Sequence, residues 1–291
     1  MTKQKPQIYL ILANLCWAGN YIFGKYVVQE MTPVQMTFFR WLIAISFLFP
    51  LAHLMEKPDW KSILSHWKIL LLSSLSGIIA YNFFLYEALR YTTSLNASLI
   101  NAMNPILIAI CATWFLNEKM TYKRMIGFII SFCGVLFILT KGNLSIILNQ
   151  HFNLGDVMML GAISVWTLYS IIGKKIKTIP PISATAISAL FGVICLFPFV
   201  LLSKSPFTIT SLSSHALIGI IYIGIFPSVV AFICWNKGIR ELDVGQSGIY
   251  MSLITLFTAF ISLALGNPIN LYQIIGGILI FTGILITSNV K

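Results

Sequence analysis

The chain has 291 residues, of which 58% are hydrophobic and only 9% are charged, and its mean hydropathy is +0.88. Because soluble globular chains carry about 25% charged residues, this composition excludes a soluble enzyme, a disordered chain and a fibrous repeat, and it leaves a multi-span membrane protein. The net charge of +11 is scattered over short loops, where cations orient membrane segments, and no recognition motif predicts nucleic-acid binding.

Ten apolar segments approach the roughly 20 residues that a helix needs to cross a bilayer. In chain order they cover residues 8–28, 34–54, 67–89, 94–116, 121–140, 154–172, 182–202, 216–236, 245–265 and 271–288, and we call them spans one to ten. Span one continues past the length of a signal peptide without a small-residue cleavage site, so we expect it to remain in the protein. The sequence therefore predicts an all-α polytopic membrane protein with ten transmembrane helices.

The Lys and Arg residues alternate between strongly and weakly basic loops along this series. Fourteen of them fall on the side that carries the N-terminus, the even-numbered loops and Lys291, and four fall on the other side. Because cytoplasmic loops are enriched in Lys and Arg, this bias predicts that both termini are cytoplasmic in a multi-pass protein of the cell membrane.

The two halves of the chain match each other at a shift of about 149 residues. The matched pairs include Trp17/Trp166, Pro33/Pro181, Pro50/Pro198, Gly127/Gly276 and Gly134/Gly283. We therefore predict two repeats of five helices, residues 1–145 and 146–291. Because five is odd, the second repeat must be inverted relative to the first, as in secondary transporters whose substrate path lies between the repeats.

Several short motifs follow one another along the chain in a characteristic order. They are Leu15-Cys16-Trp17-Ala18-Gly19-Asn20 with Lys25, then Thr32-Pro33 with Arg40, Tyr86 to Arg90, Ala97, Pro105, Leu116-Asn117-Glu118, and Gly155-Asp156 with Trp166. In this order they resemble the EamA-type members of the drug/metabolite transporter superfamily over nearly the whole chain. The resemblance implies a ten-helix transporter, often an exporter of amino acids or other small metabolites. The chain departs from the family in span nine, which carries Thr255 and Asn267 where Pro and Glu are common.

Span four carries amide side chains at membrane depth. Asn101 and Asn104 lie three residues apart and share one helix face, and Pro105 frees the carbonyl of Asn101 from its helical hydrogen bond. Exposed amides beside a broken helix are typical of substrate sites near the membrane midplane. Hydrogen bonds to neighbouring helices would explain the same residues. We take Asn101 and Asn104 as candidate substrate-binding residues.

Large aromatic and polar side chains form a second group of candidates. Trp17 and its counterpart Trp166 lie too deep for an interfacial belt, so they either wall a cavity or pack in the core. The further candidates for substrate binding are Asn20, Tyr81, Tyr86, Tyr169, Trp235 and Tyr250. A cavity of Asn, Tyr and Trp suits small neutral, zwitterionic or aromatic solutes.

Arg40 in span two and Glu87 in span three are the strongest candidates for an ion pair within the spans. They are predicted to form either a static ion pair or a gate that breaks in one state. The other acidic residues and all four histidines lie in loops or at span ends, which leaves no deep proton relay. The sequence therefore favours facilitated diffusion, exchange, or coupling through a peripheral group such as Glu87.

Prolines interrupt several spans, and glycines leave other spans without side chains at single positions. Pro50, Pro105, Pro198 and Pro227 are candidate hinges, although Pro50 and Pro198 would also suit simple helix ends. The glycine pairs of spans five and ten allow close helix packing, either within the fold or at a homodimer contact.

Three classes of protein compete for this sequence. The first is a secondary transporter that exports or exchanges a small metabolite, such as an amino acid, by alternating access between the repeats. A channel or a non-transporting receptor is the alternative. An intramembrane enzyme is the least supported, because the sequence has no GxSxG, HExxH or P-loop motif and no deep carboxylate pair. The five cysteines form no CxxC pair, and neither a metal nor another cofactor is predicted; the expected partners are a small solute and the lipid bilayer.

Overall fold

The computed structural model describes residues 6–91, 100–143, 145–148, 153–176, 178–203, 212–264, 266 and 270–288, and regular structure within them is entirely helical. The first half contains α1 (Pro6–Val27), α2 (Pro33–Met55), α3 (Trp60–Ser65), α4 (Trp67–Ser73), a π-helical segment (Ser74–Ala80), α5 (Tyr81–Tyr91), α6 (Asn104–Leu116), α7 (Tyr122–Leu139) and α8 (Ser145–Leu148). The second half contains α9 (Leu154–Lys175), α10 (Pro181–Leu201), α11 (Ser214–Ile225), a second π-helical segment (Phe226–Val230), α12 (Ala231–Glu241), α13 (Val244–Gly248), a 3-10 segment (Ile249–Ser252), α14 (Leu253–Ala264) and α15 (Leu271–Ser288).

The prediction of an all-α, multi-span membrane protein is confirmed. Within the described residues, eight helical stretches are long and apolar enough to cross a membrane by length and composition, and the shorter α6 is also apolar. The Leu-, Ile- and Phe-rich faces of these stretches favour lipid over water. In lipid, a helix satisfies its own backbone hydrogen bonds.

The helix contacts come in pairs that follow the internal repeat. Helix α2 packs on α10, α6 on α13 and α7 on α15, and each of these contacts joins a span to its counterpart five spans later. Helix α1 packs on α11 and α12, and α5 packs on α9. Spans one and eight therefore meet as spans six and three do, which is the pattern expected when one two-fold operation relates the two halves.

Helix starts in both halves are fixed by local capping. Thr32 accepts a hydrogen bond from the backbone N–H of Gln35 at the start of α2, and the Gln35 side chain returns the interaction in a capping box. Asn153 and Asp156 form the same box at the start of α9. Such boxes satisfy backbone N–H groups that have no partner inside the helix. Pro33 and Pro181 occupy the first turns of α2 and α10, where a missing N–H costs nothing.

Matching irregularities interrupt spans three and eight. The π-helical segments at 74–80 and 226–230 occupy corresponding positions in the two halves, and Pro227 lies within the second. In span four, residues 102 and 103 form a turn and α6 begins at Asn104 with Pro105 in its first turn, so the break predicted at Pro105 is present. Pro50 and Pro198 lie inside α2 and α10, which continue to Met55 and Leu201, so neither proline ends its helix.

The predicted glycine pairs bring α7 and α15 into backbone contact. A Cβ added at Gly134 would lie 2.6 Å from the carbonyl oxygen of Gly276, and one added at Gly127 would lie 2.7 Å from that of Gly283. Both distances are too short for any side chain. The four glycines therefore serve packing within the fold, which answers the choice between that role and a dimer contact.

Candidate functional site

Aromatic side chains from both halves of the chain meet at the centre of the bundle. The Trp17 and Trp166 rings lie 5.1 Å apart at an interplanar angle of 86°, and Trp235 lies 5.5 Å from Trp17. Tyr81 and Tyr169 lie 5.0 and 5.3 Å from Trp166. We call Trp17, Tyr81, Trp166, Tyr169, Phe232 and Trp235 the aromatic cluster. The structure thus brings five residues predicted from the sequence into one group.

A small cavity of about 30 Å³ lies beside this cluster. It is lined by Trp17, Asn20, Arg40, Tyr81, Asn82, Trp166, Phe232, Met251 and Ile254. The first five come from the first repeat and the last four from the second. Both predicted roles of Trp17 and Trp166 are therefore met, because these buried rings pack on each other and also form a wall of the cavity.

Arg40 is buried and is held by three neutral oxygen atoms. Its Nε donates to Ser228 Oγ at 2.9 Å, and its Nη1 donates to Asn82 Oδ1 at 3.0 Å and to Tyr86 Oη at 3.3 Å. Glu87 is not among these hydrogen-bond partners in the described conformation, so the ion pair or gate of Arg40 and Glu87 stays a prediction. One helical turn separates Asn82 from Tyr86, and both point from span three toward α2, whereas Glu87 is one residue further round the helix.

The position of Ser228 follows from the neighbouring proline. Pro227 has no N–H, so the carbonyl oxygen of Ile223 loses its helical donor. The Ser228 hydroxyl donates to that carbonyl at 2.8 Å, which leaves its oxygen free to accept from Arg40. The carbonyl of Pro227 in turn accepts from Trp17 Nε1 at 3.2 Å. Pro227 thereby links span eight to both Arg40 and Trp17.

A second polar group lies on the opposite flank of the aromatic cluster. Asn236 Nδ2 donates to Tyr169 Oη at 2.8 Å and to Thr185 Oγ1 at 3.1 Å. These side chains come from α12, α9 and α10, and all are buried. The group is built from spans six, seven and eight of the second repeat, and it carries no charge.

Six predicted substrate-binding residues are not among the described residues that line the cavity: Tyr86, Tyr169 and Trp235, whose contacts are given above, and Asn101, Asn104 and Tyr250. Asn101 is half-buried, and Asn104 is fully buried with neither side-chain amide atom hydrogen-bonded within the described part of the chain. Tyr250 Oη lies 2.9 Å from Ser288 Oγ of α15. Their assignment to substrate binding stays a prediction.

Sequence reasoning missed four residues of this region. Phe232 lies one turn before Trp235, so the same helix face would have indicated it. Ser228 follows Pro227, and a hydroxyl beside a proline in a span is a further usable signal. Met251 and Ile254 line the cavity as apolar side chains, and nothing in their residue type distinguishes them from the rest of span nine.

Carboxylates of the first repeat cap helices of the second repeat at one end of the bundle. Glu56 accepts from the backbone N–H groups of Ile182 and Ser183 at 2.9 and 2.8 Å, and from the Ser183 hydroxyl at 2.6 Å. Glu118 accepts from the N–H groups of Val244 and Gly245 at 2.7 and 2.9 Å. Burial raises the pKa of the Glu118 carboxyl, and the two N–H donors only partly offset this effect.

Basic side chains connect the loops and helix ends at this same end of the bundle. Arg124 and Asp243 form an ion pair at 2.7 Å, and Lys174 donates to the carbonyl oxygen of Leu242. Arg240 Nη1 donates to the carbonyl oxygen of Ile179 at 2.5 Å. We call this end, with Glu56, Glu118, Arg124, Lys174, Arg240 and Asp243, the basic end.

Glu30 provides the corresponding cap at the other end of α2. Its carboxylate accepts from the Ser213 backbone N–H at 2.8 Å and from the Ser213 hydroxyl at 2.5 Å, just before α11 begins. These hydrogen bonds hold the pKa of the exposed Glu30 carboxyl below its ordinary value, the hydroxyl contributing most. No cluster of His, Cys, Asp and Glu that could bind a metal ion occurs in the described parts of the chain.

The fold defines a multi-pass membrane protein with a central cavity lined from both halves of the chain, and comparison with known proteins identifies its family. The sequence model of the EamA-like transporter family matches residues 4–140 and again 153–289, so the chain belongs to that family. It is 31% identical over 292 residues to an uncharacterized transporter of Archaeoglobus fulgidus, covering 98% of this chain and 97% of that protein. It is 27% identical over 286 residues to the uncharacterized transporter YyaM of Bacillus subtilis, covering 97% and 94%.

A solved crystal structure shares the fold. The two chains superpose with a TM-score of 0.81 at 16% sequence identity, over 97% of this chain and 96% of the other. The fold is therefore that of a solved protein, matched over nearly the whole of both chains.

Proposed function

We propose that the protein is a secondary transporter that moves a small metabolite, such as an amino acid, by alternating access between two inverted five-helix repeats. Its membership of the EamA-like transporter family supports a membrane transporter that acts on a small molecule. The ten spans of this proposal comprise the eight long apolar stretches together with α1 and α6.

The observation that carries the proposal is the cavity whose lining is shared by the two repeats. A solute bound among Trp17, Asn20 and Tyr81 on one side and Trp166 and Phe232 on the other would sense any change in how the repeats pack. Carriers with repeat symmetry place their binding sites at such an interface, because rocking of one repeat on the other then exposes the site to each side in turn.

The polarity of the loops supplies the orientation within this proposal. The basic end faces the cytoplasm, both termini lie there, and the membrane is the cell membrane. The caps made by Glu56 and Glu118 tie the repeats together at that end, so the described conformation is one in which the cytoplasmic side is held shut.

Counterflow in proteoliposomes tests the function directly. The purified protein is reconstituted, a mixed pool of unlabelled amino acids and small metabolites is loaded inside, and labelled pools are offered outside. We expect saturable accumulation of at least one solute. Trp166→Ala should abolish it, because the ring forms part of the cavity wall. Trp114→Ala is the matched control, since the Trp114 side chain is 74% exposed and lies outside the cavity lining.

Each outcome separates the classes of protein. Saturable accumulation that Trp166→Ala removes and Trp114→Ala retains supports the carrier. Flux that rises linearly with solute concentration and shows no counterflow would replace the carrier by a channel. Absence of flux for every pool, with the protein folded and inserted, would count against transport of these solute classes.

A further inference from the structure

One charge faces the cavity without a carboxylate to neutralise it. Arg40 is the only charged residue among the nine described residues that line the cavity, and its side chain is 3% exposed. Among the described residues its hydrogen bonds go to the neutral oxygens of Ser228, Asn82 and Tyr86. Because a guanidinium keeps its charge in proteins, the hydrogen bonds seen in the described part of the chain hold a full positive charge with neutral groups.

Such an arrangement destabilises the fold, and this cost indicates that the charge has a function. Removing a charge from water is expensive, and neutral hydrogen-bond acceptors recover only part of that cost. Charged residues inside membranes accordingly mark substrate pathways more often than ordinary packing. The corresponding position of span seven carries an uncharged residue, Ala189 or Ser188, so the repeat symmetry of the fold does not require the cation.

The hydrogen bonds of Arg40 hold the guanidinium in place but do not occupy all of its N–H donors. Nε and Nη1 have protein partners, and a guanidinium has five N–H donors in a planar fork. The partners hold this fork from spans three and eight, so its orientation is set before a solute enters. Nε and both N–H groups of Nη1 are engaged, so the donors that remain are the two N–H groups of Nη2, which can give a carboxylate a charge-assisted hydrogen bond.

We propose that Arg40 binds the carboxylate of the transported solute, and that the substrate class is therefore a small organic acid or amino acid with an apolar or aromatic body. This assignment rests on the proposed transport function. The body of the solute lies against the rings of Trp17, Trp166 and Phe232, which form the apolar walls of the cavity. Asn20, whose Oδ1 is buried without a hydrogen-bond donor in the described chain, is placed to accept from an amino group of the solute.

Matched carboxylate and amide pairs test the assignment. Binding of 3-phenylpropionate and 3-phenylpropionamide, and of isovalerate and isovaleramide, is measured by calorimetry with the full-length protein in nanodiscs. The members of each pair have nearly the same shape and differ in charge. We expect the acid to bind at least about tenfold more tightly than the amide, as a charge-assisted hydrogen bond predicts.

Substitutions of Arg40 assign that preference to one side chain. Arg40→Gln should bring the acid-to-amide ratio of affinities to about one while the amide still binds. Arg40→Lys keeps the charge but loses the planar group that Asn82, Tyr86 and Ser228 hold in place, so the ratio should fall without vanishing. Arg124→Gln removes an arginine that pairs with Asp243 at the basic end and should leave the ratio unchanged.

A merely structural arginine would give a different result. Equal binding of acid and amide to the native protein would overturn the assignment, and so would a ratio that survives in folded Arg40→Gln. Should Arg40→Gln not fold, an unchanged ratio in Arg40→Lys would overturn it equally. Saturable counterflow of neutral solutes without any preference for acids would leave the carrier standing and reject Arg40 as the carboxylate ligand. Loss of counterflow with the binding preference intact would reject the carrier instead.

Discussion

At the residue scale, Glu118 and Glu30 perform the same task in different surroundings. Each accepts hydrogen bonds from the start of a helix in the other repeat. Glu118 is partly buried, and its desolvation outweighs its two N–H donors, so its pKa is raised from the ordinary 4.5. Glu30 is exposed, and its bonds to Ser213 lower its pKa. Desolvation favours the neutral acid, whereas hydrogen bonding favours the charged one.

These opposite shifts predict opposite effects of pH on stability. Above about pH 4.5 the folded protein holds a proton on Glu118 that the unfolded chain releases, so this group makes the free energy of unfolding fall as the pH rises through that window. Glu30 contributes stability above about pH 4.5 that is lost as the pH falls through its lowered pKa. Thermal unfolding in detergent at a series of pH values should show that Glu118→Gln removes a downward slope and that Glu30→Gln removes an upward one. Slopes of the same sign in both variants would contradict the two environments.

The sequence predicted single residues best where their chemistry is unusual for lipid. Trp17, Trp166 and Arg40 were found because large rings and charges at depth need a reason, and the structure brings all three to one cavity. The hydrogen-bond partners of Arg40 were not predicted, because the sequence offers the nearest opposite charge, whereas the helix rotation presents Asn82 and Tyr86. Apolar lining residues such as Met251 carry no such signal.

At the element scale, the contact between α7 and α15 is made of backbone against backbone. Gly127 and Gly134 on one helix face Gly283 and Gly276 on the other. Without a hydrophobic effect between helices in lipid, such close approach supplies the van der Waals contact that holds them together. The repeat alignment predicted this packing because glycines at equal spacing in spans five and ten have few other uses.

A methyl group at this contact should separate the helices. In Gly134→Ala the new Cβ would lie 2.6 Å from the Gly276 carbonyl oxygen, and backbone cannot move aside as a side chain does. We expect a loss of about 1–3 kcal/mol in the free energy of unfolding, as overpacking costs elsewhere. Gly161→Ala in α9 is the control, since its nearest neighbour would be Phe84 Cδ1 at 3.5 Å, an ordinary contact.

Thermal unfolding of the two alanine variants in the same detergent measures the difference. Gly161→Ala should be neutral or stabilised by up to about 1 kcal/mol, because alanine favours a helix over glycine. Equal stability of the two variants would mean that α7 and α15 do not pack through these glycines.

Helix existence followed from hydropathy, but helix irregularity did not. The break before α6 was predictable because Asn104-Pro105 carries a proline at depth. The π-helical segment at 74–80 contains no proline, and its presence depends on packing against α9 and α10 that a single sequence does not reveal. Pro50 and Pro198 illustrate the converse, since α2 and α10 continue past both.

At the scale of the whole molecule, the caps form a set of connections between the two repeats. Glu56 and Glu118 join the repeats at the basic end, and Glu30 joins them at the other end of α2. Each connection is a few charge-assisted hydrogen bonds at a helix N-terminus, which is strong enough to hold a conformation and weak enough to break within a transport cycle. Alternating access would require the two ends to release these caps in turn.

Removing the caps at one end should therefore open the cavity toward that end. Met251 lines the cavity and is buried, so Met251→Cys reports access to the site. In inside-out vesicles, adding Glu56→Ala and Glu118→Ala should raise the rate of its labelling by a membrane-impermeant maleimide by several-fold, because lost caps cost about 1–2 kcal/mol each. Labelling of the same variants without Met251→Cys is subtracted to remove the native cysteines. Glu241→Ala removes an exposed carboxylate at the end of α12 and should leave the rate unchanged. Glu30→Ala should raise the rate in right-side-out vesicles instead. If the double variant labels no faster than Glu241→Ala in inside-out vesicles, these caps do not close the basic end, and closure must come from the helix packing itself.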